Sequence, residues 1–251
     1  MRRLNPLKLA FSSLFVLFCF HAAAAIPQKE ILTAIGTKIT QLETAEAWKT
    51  FVKSKPEIFP PMKDGKSTVV VDKMTLELGG DTYTLGVGSR QMTLKADYER
   101  VKKILNTPAY WRNLYGLDAD ANVSEPGDVF KARIFKKIPV VSNQDYTLEY
   151  RNFENGGVWF QRAQQESDKN EFALRDNLKA LEKTPGGVIY REYSLVYVLR
   201  WYLRALGPQM RSVMQTELEK INVSMRCMAE SPKPLSSELA KECGAQANVR
   251  K

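Results

Sequence analysis

The middle of the chain alternates apolar and polar residues, and this alternation restricts the fold more than any other feature of the sequence. Residues 130–134 and 146–151 each place an apolar side chain at every second position, with charged or hydroxyl side chains between them. A period of two gives a strand one apolar and one polar face, which is typical of antiparallel sheets. We therefore expect an antiparallel sheet with one buried face and one face in water.

Turn sequences divide the rest of the chain into further strands. Gly79-Gly80 and Asn155-Gly156-Gly157 are hairpin turn signals, because glycine adopts the positive φ that tight turns need. Apolar and β-branched segments around such turns predict strands, and these segments cover residues 69–78, 83–94, 158–163, 177–183 and 188–199. Two short helices are expected between the strands, one over 97–105 and one starting at Pro108.

A long amphipathic helix closes this run of strands. After Gly207-Pro208, apolar residues recur at spacings of four and three, as on one face of an α-helix, and they are Met210, Met214, Leu218, Ile221, Met225 and Met228. A sheet with one apolar face must be covered, and this helix is the segment long enough to cover it. We expect the polar residues 231–251 to form a flexible tail.

The first 25 residues predict a secretory signal peptide. Three basic residues precede an apolar run over 9–20, and Ala23-Ala24-Ala25 provides a signal peptidase site. The run is shorter than the roughly 20 residues that a membrane-spanning helix needs. We therefore expect a secreted or periplasmic protein, with a retained membrane anchor as the alternative. Residues 26–66, which follow, show helical spacing and predict an N-terminal helical extension.

Cleavage of the signal peptide restricts the chemistry of the mature protein. His21, the single histidine of the chain, leaves with the signal peptide. The mature chain then lacks the imidazole that Ser-His-Asp and Cys-His nucleophiles and many zinc or iron sites need. We therefore predict no catalytic residue, no metal site and no cofactor. Cys227 and Cys243 remain, and in an oxidising compartment they either form a disulfide or stay reduced.

Charge gives a weaker indication of partners. Cleavage removes three basic residues and no acidic residue, so the formal net charge changes from +9 to +6. The basic residues are scattered and form no long run, which argues against nucleic-acid binding. A surface of this kind is either plain solvated surface or a site of transient contact with anionic membranes. We expect a monomer that binds no nucleic acid.

Three local segments resemble the START-like or Bet v 1-like (SRPBCC) superfamily. Residues 93–101 (TLKADYERV) resemble its first strand leading into its first helix, and residues 138–146 (IPVVSNQDY) resemble a proline-containing loop that enters a strand. Gly207-Pro208 resembles the start of the closing helix. The resemblance implies an α+β helix-grip fold over residues 67–230, in which a curved antiparallel sheet wraps around the long C-terminal α-helix.

The resemblance also implies a cavity between sheet and helix that holds a hydrophobic small molecule or lipid. Combined with the strand alternation, it gives as expected ligand-binding residues Trp111, Tyr115, Phe130, Ile134, Tyr146, Leu148, Tyr150, Tyr193, Leu195, Tyr197, Met210, Met214, Leu218 and Ile221. On the last strand, the alternative face carries Glu192, Ser194, Val196 and Val198. An inward Arg162 would bind an anionic head group or pair with Glu192, whereas an outward one would face solvent.

Three functions fit these observations. The first is non-enzymatic binding or transport of a lipid-like ligand in the periplasm or extracellular space. The second is a cyclase- or hydrolase-like enzyme that uses Tyr, Asp, Glu or Arg on an apolar or aromatic substrate. The third is an interaction module whose cavity is filled by side chains. A continuous apolar cavity of about 300 Å³ or more would favour a ligand site over the third function.

Overall fold

The computed structural model describes residues 27–62, 67–115, 127–136, 144–166, 173–199 and 207–249. The predicted signal peptide, residues 1–25, lies outside the described residues, as does most of the proline-containing loop. Within the described ranges, no helix is long and apolar enough to cross a membrane.

Two helices lie within residues 26–66, for which the sequence predicts a helical extension. Helix α1 spans Gln28–Thr40 and helix α2 spans Ala45–Ser54. One side of α1 is buried through isoleucines at the helical spacing of four. The Thr44 hydroxyl accepts a hydrogen bond from the backbone N–H of Ala47 at 3.2 Å, which satisfies one of the free donors at the start of α2.

Seven strands form one sheet in the order β1-β2-β7-β6-β5-β4-β3, and all neighbours are antiparallel. The strands are β1 (Thr68–Leu78), β2 (Asp81–Leu94), β3 (Val129–Lys136), β4 (Gln144–Asn155), β5 (Val158–Gln165), β6 (Ala173–Thr184) and β7 (Gly187–Val198). Gly79 and Gly80 close the β1–β2 hairpin with φ values of 61° and 87°, where a side chain would be strained. The predicted antiparallel sheet is confirmed.

Helices cover one face of this sheet, which we name the grip face. They are α3 (Tyr98–Asn106), a 3₁₀ turn (Pro108–Tyr110), α4 (Trp111–Tyr115), α5 (Gly207–Glu230) and α6 (Ser237–Val249). Helix α5 lies over β1 and β2 and contacts α3, α4 and α6. The buried residues of the grip face include Met92, Leu94, Ala132, Tyr150 and Tyr190. The α+β helix-grip arrangement expected from the sequence is thus confirmed.

Helices α1 and α2 cover the opposite face, which we name the back face. Its buried residues include Leu85, Val87, Phe160, Leu178 and Leu195. The expectation of one face in water holds for the edge strand β3, whose Lys131 and Arg133 are exposed. It is wrong for β5 to β7, which are buried on both faces because the N-terminal extension packs against them.

The C-terminal residues form a docked helix where a flexible tail over 231–251 was expected. Helix α6 buries Leu239, Ala240, Cys243 and Ala247, a spacing that places them on one side of the helix. At Gly244, an added Cβ would lie 2.7 Å from the backbone oxygen of Asn113 in α4, so the glycine permits close packing. A disulfide joins Cys243 to Cys227 of α5, with 5.5 Å between their Cα atoms.

Candidate functional site

The aromatic residues expected at the site lie together at one end of the grip face. Phe130 and Tyr150 stack with 4.9 Å between ring centroids, and Trp111 lies 4.7 Å from Tyr150. Ile134 and Leu148 are buried in the same cluster. These contacts make this end of the grip face part of the hydrophobic core.

Residues from the first half of α5 lie at the other end of the grip face. Met214, Leu218 and Ile221 are half-buried. Leu218 points at the sheet, because a Cβ added at Gly88 of β2 would lie 3.9 Å from its Cδ1. Tyr115 and Met210 belong to α4 and α5, but their side chains fall outside the described residues.

The preferred face of the last strand is corrected by the structure. Tyr193, Leu195 and Tyr197 lie on the back face, in the cluster that packs against α1 and α2. The alternative residues, which are Glu192, Ser194, Val196 and Val198, therefore lie on the grip face. Alternation could not decide between the two faces, because both faces of β7 are buried.

Arg162 also lies on the back face, so it does not pair with Glu192. Its guanidinium forms ion pairs with Asp176 at 2.6 Å and with Glu43 at 2.8 Å. It also donates to the Gly36 carbonyl of α1 at 3.1 Å. Burial raises the pKa of Asp176 from 3.8 to about 6, although the charge and hydrogen bonds of Arg162 oppose this rise. The pair fixes α1 to the sheet and offers no head-group site on the grip face.

A buried polar cluster lies between β2, β7 and α5 on the grip face. We name Arg90, Tyr190, Glu192 and Asn222 the Arg90 cluster. Arg90, which is 2% exposed, donates to Glu192 Oε2 at 2.8 Å, to the Tyr190 hydroxyl at 2.7 Å and to Asn222 Oδ1 at 3.3 Å. The Tyr190 hydroxyl donates to Glu192 Oε2 at 2.5 Å. The cluster thus joins α5 to two central strands.

The electrostatics of the Arg90 cluster keep Glu192 ionised. Burial alone raises the pKa of the Glu192 carboxyl, but the charges of Arg90 and Lys179 outweigh this effect and hold the pKa below its ordinary value. Hydrogen bonds from Tyr190 and Arg90 act in the same direction. An ionised, fully engaged carboxylate is neither a proton donor at neutral pH nor a strong base.

Arg90 and Asn222 were not among the predicted site residues. Arg90 interrupts the apolar alternation of β2 on the face that α5 covers, and Asn222 interrupts the buried stripe of α5 next to Met225. The signal available in the sequence was one polar residue in each of two segments that must pack together. Sequence spacing alone could not show that the two segments meet at these residues.

The sheet residues beyond the Arg90 cluster, toward the ends of β6 and β7, are less covered. We name this region the open end of the grip face, and its half-buried residues are Tyr146, Arg175, Asn177, Ser194, Val196 and Val198. The Arg175 guanidinium donates to the Tyr146 hydroxyl at 2.7 Å and lies 4.1 Å from the centre of its ring. The open end therefore combines valine side chains with a polar margin.

Among the described residues, no three His, Cys, Asp or Glu side chains lie close enough to hold a metal ion. The buried acids of that part of the chain bond to arginines, as Asp176 does to Arg162 and Glu192 does to Arg90. The chemistry that the open end offers is burial of apolar area together with hydrogen bonds at its margin.

The similarity of this chain to known proteins is low. No protein-family model and no curated protein matches the chain. Among solved structures, the di-domain aromatase/cyclase StfQ from the steffimycin pathway is 12% identical, with a TM-score of 0.39 over 66% of this chain and 52% of that one. The chain therefore spans about half the length of StfQ.

Two further solved structures are similar at the same level. The human StarD13 lipid transfer and protein localization domain is 10% identical, with a TM-score of 0.42 over 65% of this chain and 90% of that one. Norcoclaurine synthase from Thalictrum flavum is 7% identical, with a TM-score of 0.39 over 55% and 90%. These structures are of the START-like and Bet v 1-like kind that the sequence resembles. At such identities and TM-scores they carry no argument about this chain.

Proposed function

We propose that this protein binds a hydrophobic, lipid-like ligand at the open end of the grip face, under the first half of α5, and performs no chemistry on it. The second candidate of the sequence analysis, an enzyme, has no group in the described site that is poised for proton transfer. The Glu192 carboxylate stays ionised, and Arg90 and Tyr190 occupy the same oxygen.

One observation carries this proposal, namely the difference between the two halves of α5. In the second half, Met225 and Met228 are at most 1% exposed and pack in the core. In the first half, Leu218 faces the sheet at Gly88, and both Leu218 and Met214, which lies one helical turn before it, remain half-buried. A ligand between them would remove this apolar area from water, which stabilises binding by about 25 cal/mol per Å².

The residues at the open end suit a ligand of variable shape. Methionine is flexible and polarisable, so Met214 adapts to different apolar surfaces. Gly88 leaves room opposite Leu218, since a Cβ added there would lie 3.8 Å from Ser194 Cβ and 3.9 Å from Leu218 Cδ1, which are ordinary contact distances. The Tyr146 hydroxyl and the Arg175 guanidinium supply polar groups where the ligand would meet water.

We place this function in the periplasm or outside the cell. The signal-like N-terminus supports export, and the Cys227–Cys243 disulfide suits an oxidising compartment. The mature net charge of +6, taken from the formal +9 without the three basic residues before the cleavage site, would favour transient contact with anionic membranes. The monomer would collect or deliver its ligand during such contact.

The test is titration of the mature protein with a fluorescent acyl-chain probe. Leu218→Trp fills the space beside Gly88, and we expect it to weaken binding by about ten-fold or more, equivalent to about 1.4 kcal/mol. Val213→Trp is the matched control, because Val213 lies on the same helix and is 57% exposed. Equal binding by both variants and the parent, or no saturable binding by the parent, would contradict the proposal.

A further inference from the structure

The grip face carries more positive than negative charge where β2, β7 and β6 lie side by side. In the sheet register, Arg90 of β2 and Lys179 of β6 lie on either side of Glu192, and Arg175 lies on the same face of β6. Among the described residues, Glu192 is the one carboxylate on the grip face of these three strands, and it forms an ion pair with Arg90. Three cations therefore share a single carboxylate.

Arg175 is the cation of this group that lies at the open end. It is half-buried and stands directly opposite Val196 in the β6–β7 register. Its guanidinium donates to the Tyr146 hydroxyl at 2.7 Å and lies 4.1 Å from the centre of that ring. The hydroxyl and the ring hold the guanidinium in place, but neither carries a charge that would cancel its own. The charge thus stands beside the valines that we propose contact the ligand.

Lys179 adds positive charge from deeper in the grip face. It is 3% exposed, and its Nζ donates to Gln161 Oε1 at 2.7 Å and lies 5.5 Å from the centre of the Tyr150 ring. An amide and an aromatic ring also orient the ammonium without cancelling its charge. Lys179 lies four residues from Arg175 along β6, about 13 Å, and buried surroundings screen its charge less than water would. Its field therefore favours an anion at the open end.

The covering helix does not reverse this excess of positive charge. In the first half of α5, Glu217 pairs with Lys220 at 2.7 Å, and Arg211 pairs with Asp72 of β1 at 3.4 Å. Each pair adds no net charge. Glu219 is exposed, so water and salt screen its carboxylate. The described residues around the open end therefore favour a negatively charged occupant over a neutral or positive one.

We infer that the ligand of the open end is an anionic amphiphile, whose apolar chain lies under the first half of α5 and whose oxyanion head group binds to Arg175 at the margin. This inference rests on the proposed function and adds the charge of the ligand to it. The planar fork of a guanidinium matches paired oxygens of a carboxylate or phosphate. The Tyr146 hydroxyl accepts from Arg175 and so keeps a proton that it can donate to the same head group.

Calorimetric titration of the mature protein at neutral pH tests the inference with amphiphiles that share one decyl chain. Decanoate and decyl phosphate carry an oxyanion, decanol is neutral and decyltrimethylammonium is cationic. We expect decanoate to bind about ten-fold or more tightly than decanol, because hydrogen bonds to charged groups are stronger than those between neutral groups. The cationic amphiphile should bind more weakly than decanol. Acetate and inorganic phosphate, which lack the chain, should show no saturable binding.

The outcomes separate this inference from the proposed function. Decanol or the cationic amphiphile binding as tightly as decanoate would overturn the inference and leave the proposed function intact. Saturable binding of none of the four would overturn both. Acetate or inorganic phosphate binding as tightly as decanoate would also overturn the inference, because the chain would then be irrelevant. Tighter binding of decanoate supports a fatty acid as the source of the head group, and tighter binding of decyl phosphate supports a phosphate lipid.

Variants assign the head group to Arg175. Arg175→Gln removes the charge, and we expect it to weaken decanoate binding by about ten-fold or more while decanol binding stays unchanged. Arg175→Lys retains the charge and should retain part of the preference for decanoate. Arg112→Gln removes the same charge from an exposed position of α4 and should bind both amphiphiles as the parent does. A preference for decanoate that Arg175→Gln fully retains would overturn the assignment, and the comparison of head groups on the parent needs no variant to fold.

Discussion

Arg162 is the residue through which the N-terminal extension is fixed to the sheet. Its guanidinium bonds to Asp176 on β6, to Glu43 after α1 and to the Gly36 carbonyl within α1. An arginine suits this place because its planar fork bonds in several directions at once. A buried ion pair adds little net stability when intact, but loss of one partner leaves the other charge buried and uncompensated.

We therefore expect Arg162→Leu to lower the free energy of unfolding by about 3–5 kcal/mol. The double variant Arg162→Leu/Asp176→Leu should lose less than the single variant, because the Asp176 carboxylate is removed together with its cation and Glu43 keeps its ion pair with Arg151. Urea unfolding followed by circular dichroism measures both values. If the double variant were as unstable as the single one or more so, the pair would not be coupled in this way.

The Asp176 carboxyl gives stability a definite dependence on pH. Its pKa in the folded protein is about 6, raised from 3.8 chiefly by burial. Because the folded state binds this proton more tightly, the contribution of Asp176 to the free energy of unfolding is present below pH 3.8 and is lost as the pH rises through about 6.

Asp176→Asn should remove that pH dependence. As the pH rises from about 4 to 6, we expect the free energy of unfolding of the parent to fall relative to that of the variant. The difference between the two should level off at higher pH. Urea unfolding at a series of pH values measures this difference. A difference that stays constant across the range, or one that changes in the opposite direction, would show that Asp176 does not titrate as described.

Among the elements, α6 shows how a short polar segment becomes part of the core. The helix packs on α4 at Gly244 and is tied to α5 by the Cys227–Cys243 disulfide, which closes a sequence separation of 16 residues. Its position therefore affects the aromatic end of the grip face, to which α4 belongs.

Replacing both cysteines by serine should lower the free energy of unfolding by about 3 kcal/mol, the amount expected for a closed loop of about this length. Unfolding of the parent in the presence of a thiol reductant should give a matching loss. The same reductant should leave the stability of the double serine variant unchanged. A parent protein that is equally stable oxidised and reduced would show that α6 docks without help from the disulfide.

The elements differ in how far sequence could predict them. The alternation in residues 130–134 and 146–151 predicted correctly which side chains are buried. It could do so because β3 and β4 lie at the sheet edge that α1 and α2 leave exposed on one side. The face of β7 was mispredicted because helices cover both of its sides. Helix α6 was missed because its stripe consists largely of alanine, glycine and cysteine, which a hydropathy argument undervalues although they pack closely.

The candidate site was predictable to a smaller extent than the fold. The half-buried stripe of α5 followed from its spacing. The Arg90 cluster did not, because it depends on which residues of β2, β7 and α5 meet. Tertiary packing decides which of these residues come into contact. Arg90 and Asn222, for example, are 132 residues apart in the sequence.

At the scale of the whole molecule, the sheet is a middle layer between two sets of helices. The back face is closed by the N-terminal extension, with Arg162 as its polar link. The grip face is closed at its aromatic end by α3, α4 and α6, and it remains half-covered where the first half of α5 passes over β2. This uneven closure is the physical basis of the proposed ligand site.

The central claim is that this half-covered region holds a hydrophobic ligand. Native mass spectrometry of the mature protein, purified without detergent from the cell that makes it, tests this claim most directly. We predict an added mass that organic solvent releases, that Val213→Trp retains and that Leu218→Trp loses. A bare protein mass for the parent, which stays bare after incubation with lipid vesicles, would contradict the account.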